Sequence, residues 1–263
     1  MLRRERAMIL EGKTALVTGG GHGIGRGLCL ALAKEGAKVV INYSRDDDAA
    51  SWTKSLIEQD DGTAVLVKAD VGYTDQCQEL VEKSNQAFGH IDILISNAGI
   101  GQQSKIVDCP DEEWDRVMNV NLKATFVLAR GLMPGMIDRE FGRIVTISSN
   151  SAATGTAGAS FVPYATSKGA LETLTKGIAV EGAPWITANA ISPGGTSRQI
   201  ASERGEEWPP PPAMDDKFFL GRRVLLNRIG TPEDVAGAML FLVSDSGCFV
   251  TGQNLHVSGG VVM

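Results

Sequence analysis

The chain has 263 residues, 43% of them hydrophobic and 21% charged, with a formal net charge of -6. That size and balance exclude a disordered or fibrous chain and allow a sizeable buried core. The acidic sign argues against a broad basic footprint for nucleic acid or anionic membrane, so neither is an expected partner.

Residues 1–10 read as a loose N-terminal tail, and residues 11–263 as one domain. The tail's apolar run, Ala7 to Leu10, is too short for an export signal. No stretch reaches the ~18 apolar residues of a spanning helix. The four cysteines, Cys29, Cys77, Cys109 and Cys248, form no C-x-x-C pair, and histidines are few. Reduced thiols, a cytoplasmic setting and no metal site are therefore expected.

Short apolar runs then alternate with helical patterns. The predicted strands are 14–18, 38–42, 64–69, 91–96, 143–148, 187–191 and 254–257. Most are continuously apolar, as strands covered on both faces are. The predicted helices are 25–35, 47–59, 74–88, 112–141, 165–181 and 232–244. Thr231-Pro232-Glu233-Asp234 carries a strong helix-start signal: a capping hydroxyl, Pro at the first position and acids in the first turn. The alternation predicts an α/β fold with a parallel sheet, right-handed crossovers and helices on both faces. The Gly-, Pro- and charge-rich stretch 194–228, with Trp208 and then Pro209 to Pro212, breaks this rhythm and reads as a lid.

Four places carry chemistry. Thr18-Gly19-Gly20-Gly21-His22-Gly23-Ile24-Gly25 lies between the first strand and the first helix. Glycines there let phosphate oxygens reach backbone amides at a helix N-terminus. Gly12-Lys13-Thr14 mimics the end of a P-loop, but it precedes its strand and lacks the earlier glycine. Tyr164 and Lys168 stand at i, i+4, on one face of a helix. An ammonium beside a phenol favours the phenolate and suits the tyrosine to acid/base work. Ser148 and Ser149 end a strand, where a hydroxyl could polarise a substrate oxygen. Asn121 sits inside a helical pattern, an unfavourable place unless its amide has a task.

Taken in order, Thr18-Gly19-xxx-Gly23-x-Gly25, Asp70-Val71, Asn97-Ala98-Gly99, Asn121, Ser149, Tyr164-xxx-Lys168, Pro193-Gly194, Thr251-Gly252-Gln253 and Ser258-Gly259-Gly260 resemble the short-chain dehydrogenase/reductase family, including its 3-oxoacyl-carrier-protein reductases. The resemblance implies a doubly wound, Rossmann-type domain. Its seven-stranded sheet would run 3-2-1-4-5-6-7. It further implies a nicotinamide cofactor and hydride transfer between that cofactor and a ketone or secondary alcohol. Tyr164 would be the general acid/base. Lys168 would lower its pKa and bind the ribose. Ser149 would polarise the carbonyl, and Asn121 would hold a water leading to solvent. Gly19, Gly21, His22, Gly23, Ile24 and Gly25 would cradle the diphosphate, with Thr18, Asn97, Ala98 and Gly99 beside them. Asp70 and Val71 would meet the adenine. Pro193, Gly194 and Thr196 would cover the nicotinamide. A homotetramer, or a dimer, joined through the helices carrying Asn121 and Tyr164 is implied as well.

The sequence departs from the family pattern in places. The interval from Ser149 to Tyr164 is 15 residues, slightly long, so Ser151 competes with Ser149. Arg198 stands five residues after Pro193, where the family often has Thr. Tyr43 occupies the position where an NAD site normally offers an acid to the ribose 2′-OH, and Ser44 and Arg45 follow it. A guanidinium suits a 2′-phosphate, so NADP(H) is favoured. Asp46, Asp47 and Asp48, with His22 in place of a frequent Arg, keep NAD(H) possible. Within the lid, Trp208, Met214, Phe218 and Phe219 could wall a substrate pocket, and Arg222 and Arg223 could meet an anionic group. A non-catalytic nucleotide-binding regulator is the competing reading, and the retained Ser149, Tyr164, Lys168 and Asn121 count against it.

Overall fold

A computed structural model describes residues 8–101, 104–155, 161–200, 203, 218–219 and 222–263. Residues 1–7 of the expected tail, and Trp208, Pro209 to Pro212 and Met214 of the expected lid, lie outside them. So do the side chains of Phe218, Phe219, Arg222 and Arg223.

Strands β1 (Thr14–Val17), β2 (Lys38–Tyr43), β3 (Ala64–Lys68), β4 (Ile93–Ser96), β5 (Gly142–Ile147) and β6 (Ile186–Pro193) alternate with helices. A two-residue antiparallel ribbon, β7 (Phe218–Phe219) and β8 (Arg222–Arg223), interrupts the expected lid, and β9 (Asn254–Val257) closes the sheet. The order is β3-β2-β1-β4-β5-β6-β9, all parallel. Counting only strands of this sheet, that is the expected 3-2-1-4-5-6-7. The order reverses between β1 and β4, and the crevice at such a reversal is where this architecture binds ligands.

Side chains alternate across the sheet and divide the core in two. Ala15, Val17, Ile93 and Ile95 face one way, onto Leu28 and Leu32 of α1 (Gly23–Lys34) and Val235, Met239 and Leu242 of the helix Pro232–Val243. Leu16 and Leu94 face the other way, onto Leu80 of α3 (Thr74–Phe88), Leu128 and Leu132 of α5 (Ala124–Asp138) and Ile178 of α7 (Val162–Gly182). Leu10, assigned from sequence to the tail, is buried in the first of these clusters, and its N–H donates to the Glu35 carbonyl at 2.8 Å.

Helix α2 (Asp47–Gln59) and α3 keep the bounds read from the sequence. The long helix predicted over 112–141 is instead three pieces. α4 (Asp111–Met118) passes into a π-helical turn, Asn119–Lys123, and then into α5. Such bulges insert a residue without ending the helix, so a periodicity of apolar residues does not reveal them. A short helix, α6 (Asn150–Thr154), follows β5 and had no sequence signal.

The helix at Pro232 starts as its sequence predicts. The Thr231 hydroxyl accepts from the Asp234 N–H, and the Asp234 carboxylate accepts from the Thr231 N–H at 2.8 Å, a complete capping box. Thr231→Ala is expected to cost about 1 kcal/mol. Urea unfolding followed by circular dichroism would measure it, and an unchanged midpoint would contradict the assignment.

Candidate active site

The crevice at the C-terminal ends of β1 and β4 is held open by a hydroxyl. Thr18 Oγ accepts from the N–H groups of Asn97 (2.9 Å) and Ala98 (3.0 Å). The Asn97 amide returns hydrogen bonds to the carbonyls of Thr18 (2.9 Å) and Gly19 (3.2 Å). These four bonds tie the glycine turn to the end of the neighbouring strand.

The turn needs its glycines for distinct reasons. Gly19 and Gly23 have φ of 65° and 56°, the left-handed region. A side chain on Gly25 would overlap the Gly19 carbonyl, and one on Gly20 would press on Cys29 and Ile41. Arg26, buried in the first turn of α1, donates to the Gly21 carbonyl at 2.7 Å and to Thr53 Oγ at 3.0 Å. His22 is the residue before α1, and its side chain makes no capping bond.

A cavity of about 690 Å³ runs along this turn. Its walls include Gly19, Gly21, His22, Gly23, Ile24 and Gly25, then Ser44 and Arg45 after β2. Asp70, Val71, Asn97, Ala98, Gly99 and Thr196 complete it. The structure thus gathers nearly all the cofactor residues expected from the sequence along one surface. Thr18 lies just beneath it, and Pro193 and Gly194 line the adjoining cavity. The bare backbone cradle suits a dinucleotide diphosphate.

Three acids near this cavity are already engaged. Arg116 grips both Asp70 carboxylate oxygens at 2.9 and 2.7 Å, and the Gly72 N–H donates to one of them. Burial pushes the Asp70 carboxyl up, but these donors outweigh it and leave the pKa below its ordinary value. Asp47 accepts from the Tyr43 hydroxyl and from Lys68. Asp46 caps α2 by accepting from the Ala49 N–H at 2.8 Å. Among the described residues Arg45 makes no ion-pair contact with Asp46, Asp47 or Asp48, and its charge acts on Asp70 only at longer range.

A second cavity, about 520 Å³, is lined by Ser149, Ser151, Phe161, Tyr164, Lys168, Pro193 and Gly194. It shares Ile24, Asn97, Gly99, Gly101, Thr196 and Arg198 with the first. Val162 and Pro163 open α7, which places Tyr164 and Lys168 one turn apart. The Lys168 ammonium donates to the Ile147 carbonyl at 2.6 Å and lies 5.7 Å from the Tyr164 ring centre. A side chain on Gly99 would crowd it at 3.2 Å, so the ammonium would have to shift by a few tenths of an ångström. Burial depresses the Lys168 pKa to about 8. The Tyr164 phenol is shifted up by burial, while hydrogen bonding with Ser149 pulls the other way. The ammonium is turned to a backbone carbonyl and is itself depressed by desolvation.

Ser149 Oγ accepts from the Ser151 N–H at 3.1 Å, so Ser151 supports Ser149 through its backbone. Asn121 sits in the π turn, 1% exposed. Its amide oxygen accepts from the Ile100 N–H (2.8 Å), and its nitrogen donates to the Ile100 carbonyl (3.0 Å) and to Ser167 (3.0 Å). The task its position demanded is met by protein groups that lock the loop after β4 to α7. Sequence reasoning missed Arg116 and Glu172. Glu172, one turn beyond Lys168, accepts from Ser148 (2.8 Å) and Ser192 (3.1 Å), joining the ends of β5 and β6. A Glu on the Lys168 face of the helix was the available signal. For Arg116 there was none.

Among the described residues no cluster of His, Cys, Asp and Glu could hold a metal ion. No described helix is long and apolar enough to cross a membrane.

The chain belongs to the short-chain dehydrogenase/reductase family, whose members are oxidoreductases that use nicotinamide cofactors. The family pattern described as enoyl-(acyl carrier protein) reductase matches residues 19–262. Versicolorin reductase stcU of Emericella nidulans is 36% identical over 264 residues, covering 95% of this chain and 96% of that protein. The 3-oxoacyl-(acyl-carrier-protein) reductase FabG of Rickettsia prowazekii is 34% identical, with 97% and 98% covered. A short-chain type dehydrogenase/reductase from Mycobacterium marinum has a similar solved structure, with a TM-score of 0.83, 32% identity and 97% of each chain covered.

The depressed Lys168 predicts a pH-dependent stability. The folded chain sheds this proton near 8, and the unfolded chain near the ordinary 10.5. Between those values the unfolded state binds more protons, so stability rises with pH. Lys168→Met removes the dependence. Its stability advantage over the natural chain should shrink by roughly 2–3 kcal/mol from pH 7 to pH 10. Denaturant melts at both pH values would measure this, and a constant gap would refute a buried charge.

Proposed function

We propose that this protein is an NADP(H)-preferring reductase that converts a ketone to a secondary alcohol, with Tyr164 as the general acid. One observation carries the reading. Tyr164, hydrogen-bonded with Ser149 and backed by Lys168, faces a cavity that shares its wall with the glycine-lined one.

A bound nicotinamide dinucleotide would supply the hydride to the carbonyl carbon. This chain's own residues handle the oxygen. Ser149 donates a hydrogen bond to the carbonyl oxygen and stabilises the charge that develops there. The Tyr164 phenol gives that oxygen its proton. A phenol raised by burial stays protonated near neutral pH, the form that a reduction needs. Lys168 holds the ribose side of the site, and its own pKa near 8 lets it pass a proton onward to restore the phenol. Asn121 fixes the loop that borders Lys168.

Arg45 supports the NADP preference, because it borders the cavity and, among the described residues, makes no ion-pair contact with a carboxylate. Relatives named as reductases of versicolorin and of 3-oxoacyl groups on a carrier protein support carbonyl reduction. The cavity of about 520 Å³ suits a small or cyclic ketone, with a 3-oxoacyl thioester as the more specific alternative. A cytoplasmic homotetramer joined through the α4–α5 and α7 helices accords with the exposed Trp114, Phe126 and Val180 on them.

Tyr164→Phe should abolish NADPH oxidation across a ketone panel while leaving dinucleotide binding within about twofold, because only the proton donor is lost. Dinucleotide binding by the natural chain without any Tyr164-dependent turnover would favour a non-catalytic nucleotide-binding protein. Arg45→Ala should weaken NADPH binding about 10- to 100-fold and leave NADH nearly unchanged. Equal losses in calorimetric titrations would refute the 2′-phosphate role.

A further inference from the structure

We infer that Arg198 binds the diphosphate of the dinucleotide from the lid side, facing the glycine turn across the cavity. The inference rests on reading the larger cavity as the dinucleotide berth.

Position is the first argument. Arg198 lines both cavities, at the wall they share. Its carbonyl lies 3.7 Å from where a side chain on Gly23 would begin, so this stretch overlies the first turn of α1. The opening turn of a helix presents amide N–H groups without intrahelical partners, and anions gather there.

Anchoring is the second. The stretch carrying Arg198 is fixed on both sides. Before it, Gly230 donates to the Gly195 carbonyl at 2.7 Å, and the Ser197 N–H donates to the Gly230 carbonyl at 2.9 Å. After it, Ile200 is 4% exposed and donates its N–H to Glu203. Glu203 is in turn ion-paired with Arg26, the residue that holds the Gly21 carbonyl. The backbone that presents Arg198 is thus tied to the turn it faces.

Charge is the third. Three other arginines around this region each hold a carboxylate: Arg26 on Glu203, Arg116 on Asp70 and Arg228 on Asp234. Arg198 has no such partner among the described residues, and the residue is exposed. A guanidinium offers a planar fork of donors suited to phosphate oxygens, which the Thr frequent at this place in the family cannot match in charge. An anionic substrate group is the rival ligand, since Arg198 also borders the second cavity. The close approach to Gly23 favours the diphosphate.

The test is calorimetric titration of the natural chain and of Arg198→Gln with ADP-ribose, NADPH, NADH and adenosine 2′-monophosphate, which lacks the diphosphate. Arg198→Gln should lose about 10- to 100-fold in affinity for the first three by one common factor, and nothing for the last. Arg198→Lys should recover part of the loss, because it restores the charge without the fork. Equal ADP-ribose affinity in the natural chain and Arg198→Gln would overturn the inference. So would a variant whose only defect is a raised KM for carboxylate-bearing ketones. Failure of the natural chain to bind ADP-ribose at all would instead remove the dinucleotide reading itself.

Discussion

A primary ammonium almost sealed from solvent organises the site. Lys168 is 3% exposed and spends its strongest hydrogen bond on the last carbonyl of β5. Placing a cation there is unfavourable, and the depressed pKa measures how unfavourable. The fold accepts it because rigid neighbours fix the surroundings. Gly99 leaves the needed room, Asn121 locks the loop that carries Gly99, and the ring of Tyr164 presents its face at 5.7 Å. Loosening any one of these would let the chain relax and water enter, and the charge would lose its grip on the phenol's surroundings.

Close backbone approach is the second constraint, and it accounts for the clustering of glycine. At Gly25 a methyl group would overlap the Gly19 carbonyl, so helix α1 starts directly against the turn before it. That closeness aims the first amides of the helix into the crevice where the strand order reverses. Thr18 completes the arrangement with one hydroxyl that serves two neighbouring N–H groups. A surface built mostly of peptide groups binds by geometry and partial charge, with side chains adding selectivity only at its ends.

The fold was legible because the sheet is covered on both faces. Runs such as Ala15-Leu16-Val17 and Ile93-Leu94-Ile95 are apolar throughout, and their alternate residues fill two different clusters. The glycine turn and the Tyr164–Lys168 pair were legible because their spacing is local. What escaped depends on contacts far apart in the chain. The π turn at Asn119–Lys123 leaves no periodic trace, although the buried Asn121 hinted at it. The direction of the Tyr164 shift depends on how deeply α7 is covered, which no local pattern encodes. Arg116 meets Asp70 across 46 residues, and Glu172 meets Ser192 only because β5 and β6 are neighbours.

The charge layout commits most of the acids near the glycine turn to partners of their own. The chain carries a net charge of -6, yet among the described residues Arg45 and Arg198 border the larger cavity without a carboxylate in ion-pair contact. The carboxylates that would quench them are committed elsewhere. Asp47 holds Lys68, Asp46 caps α2, Asp70 holds Arg116 and Glu203 holds Arg26. Each commitment is geometric, and the Asp46 carboxylate keeps its place on the cavity wall while it caps α2. An anionic ligand entering the cavity would meet guanidiniums at its edge as well as the bare amides of the glycine turn.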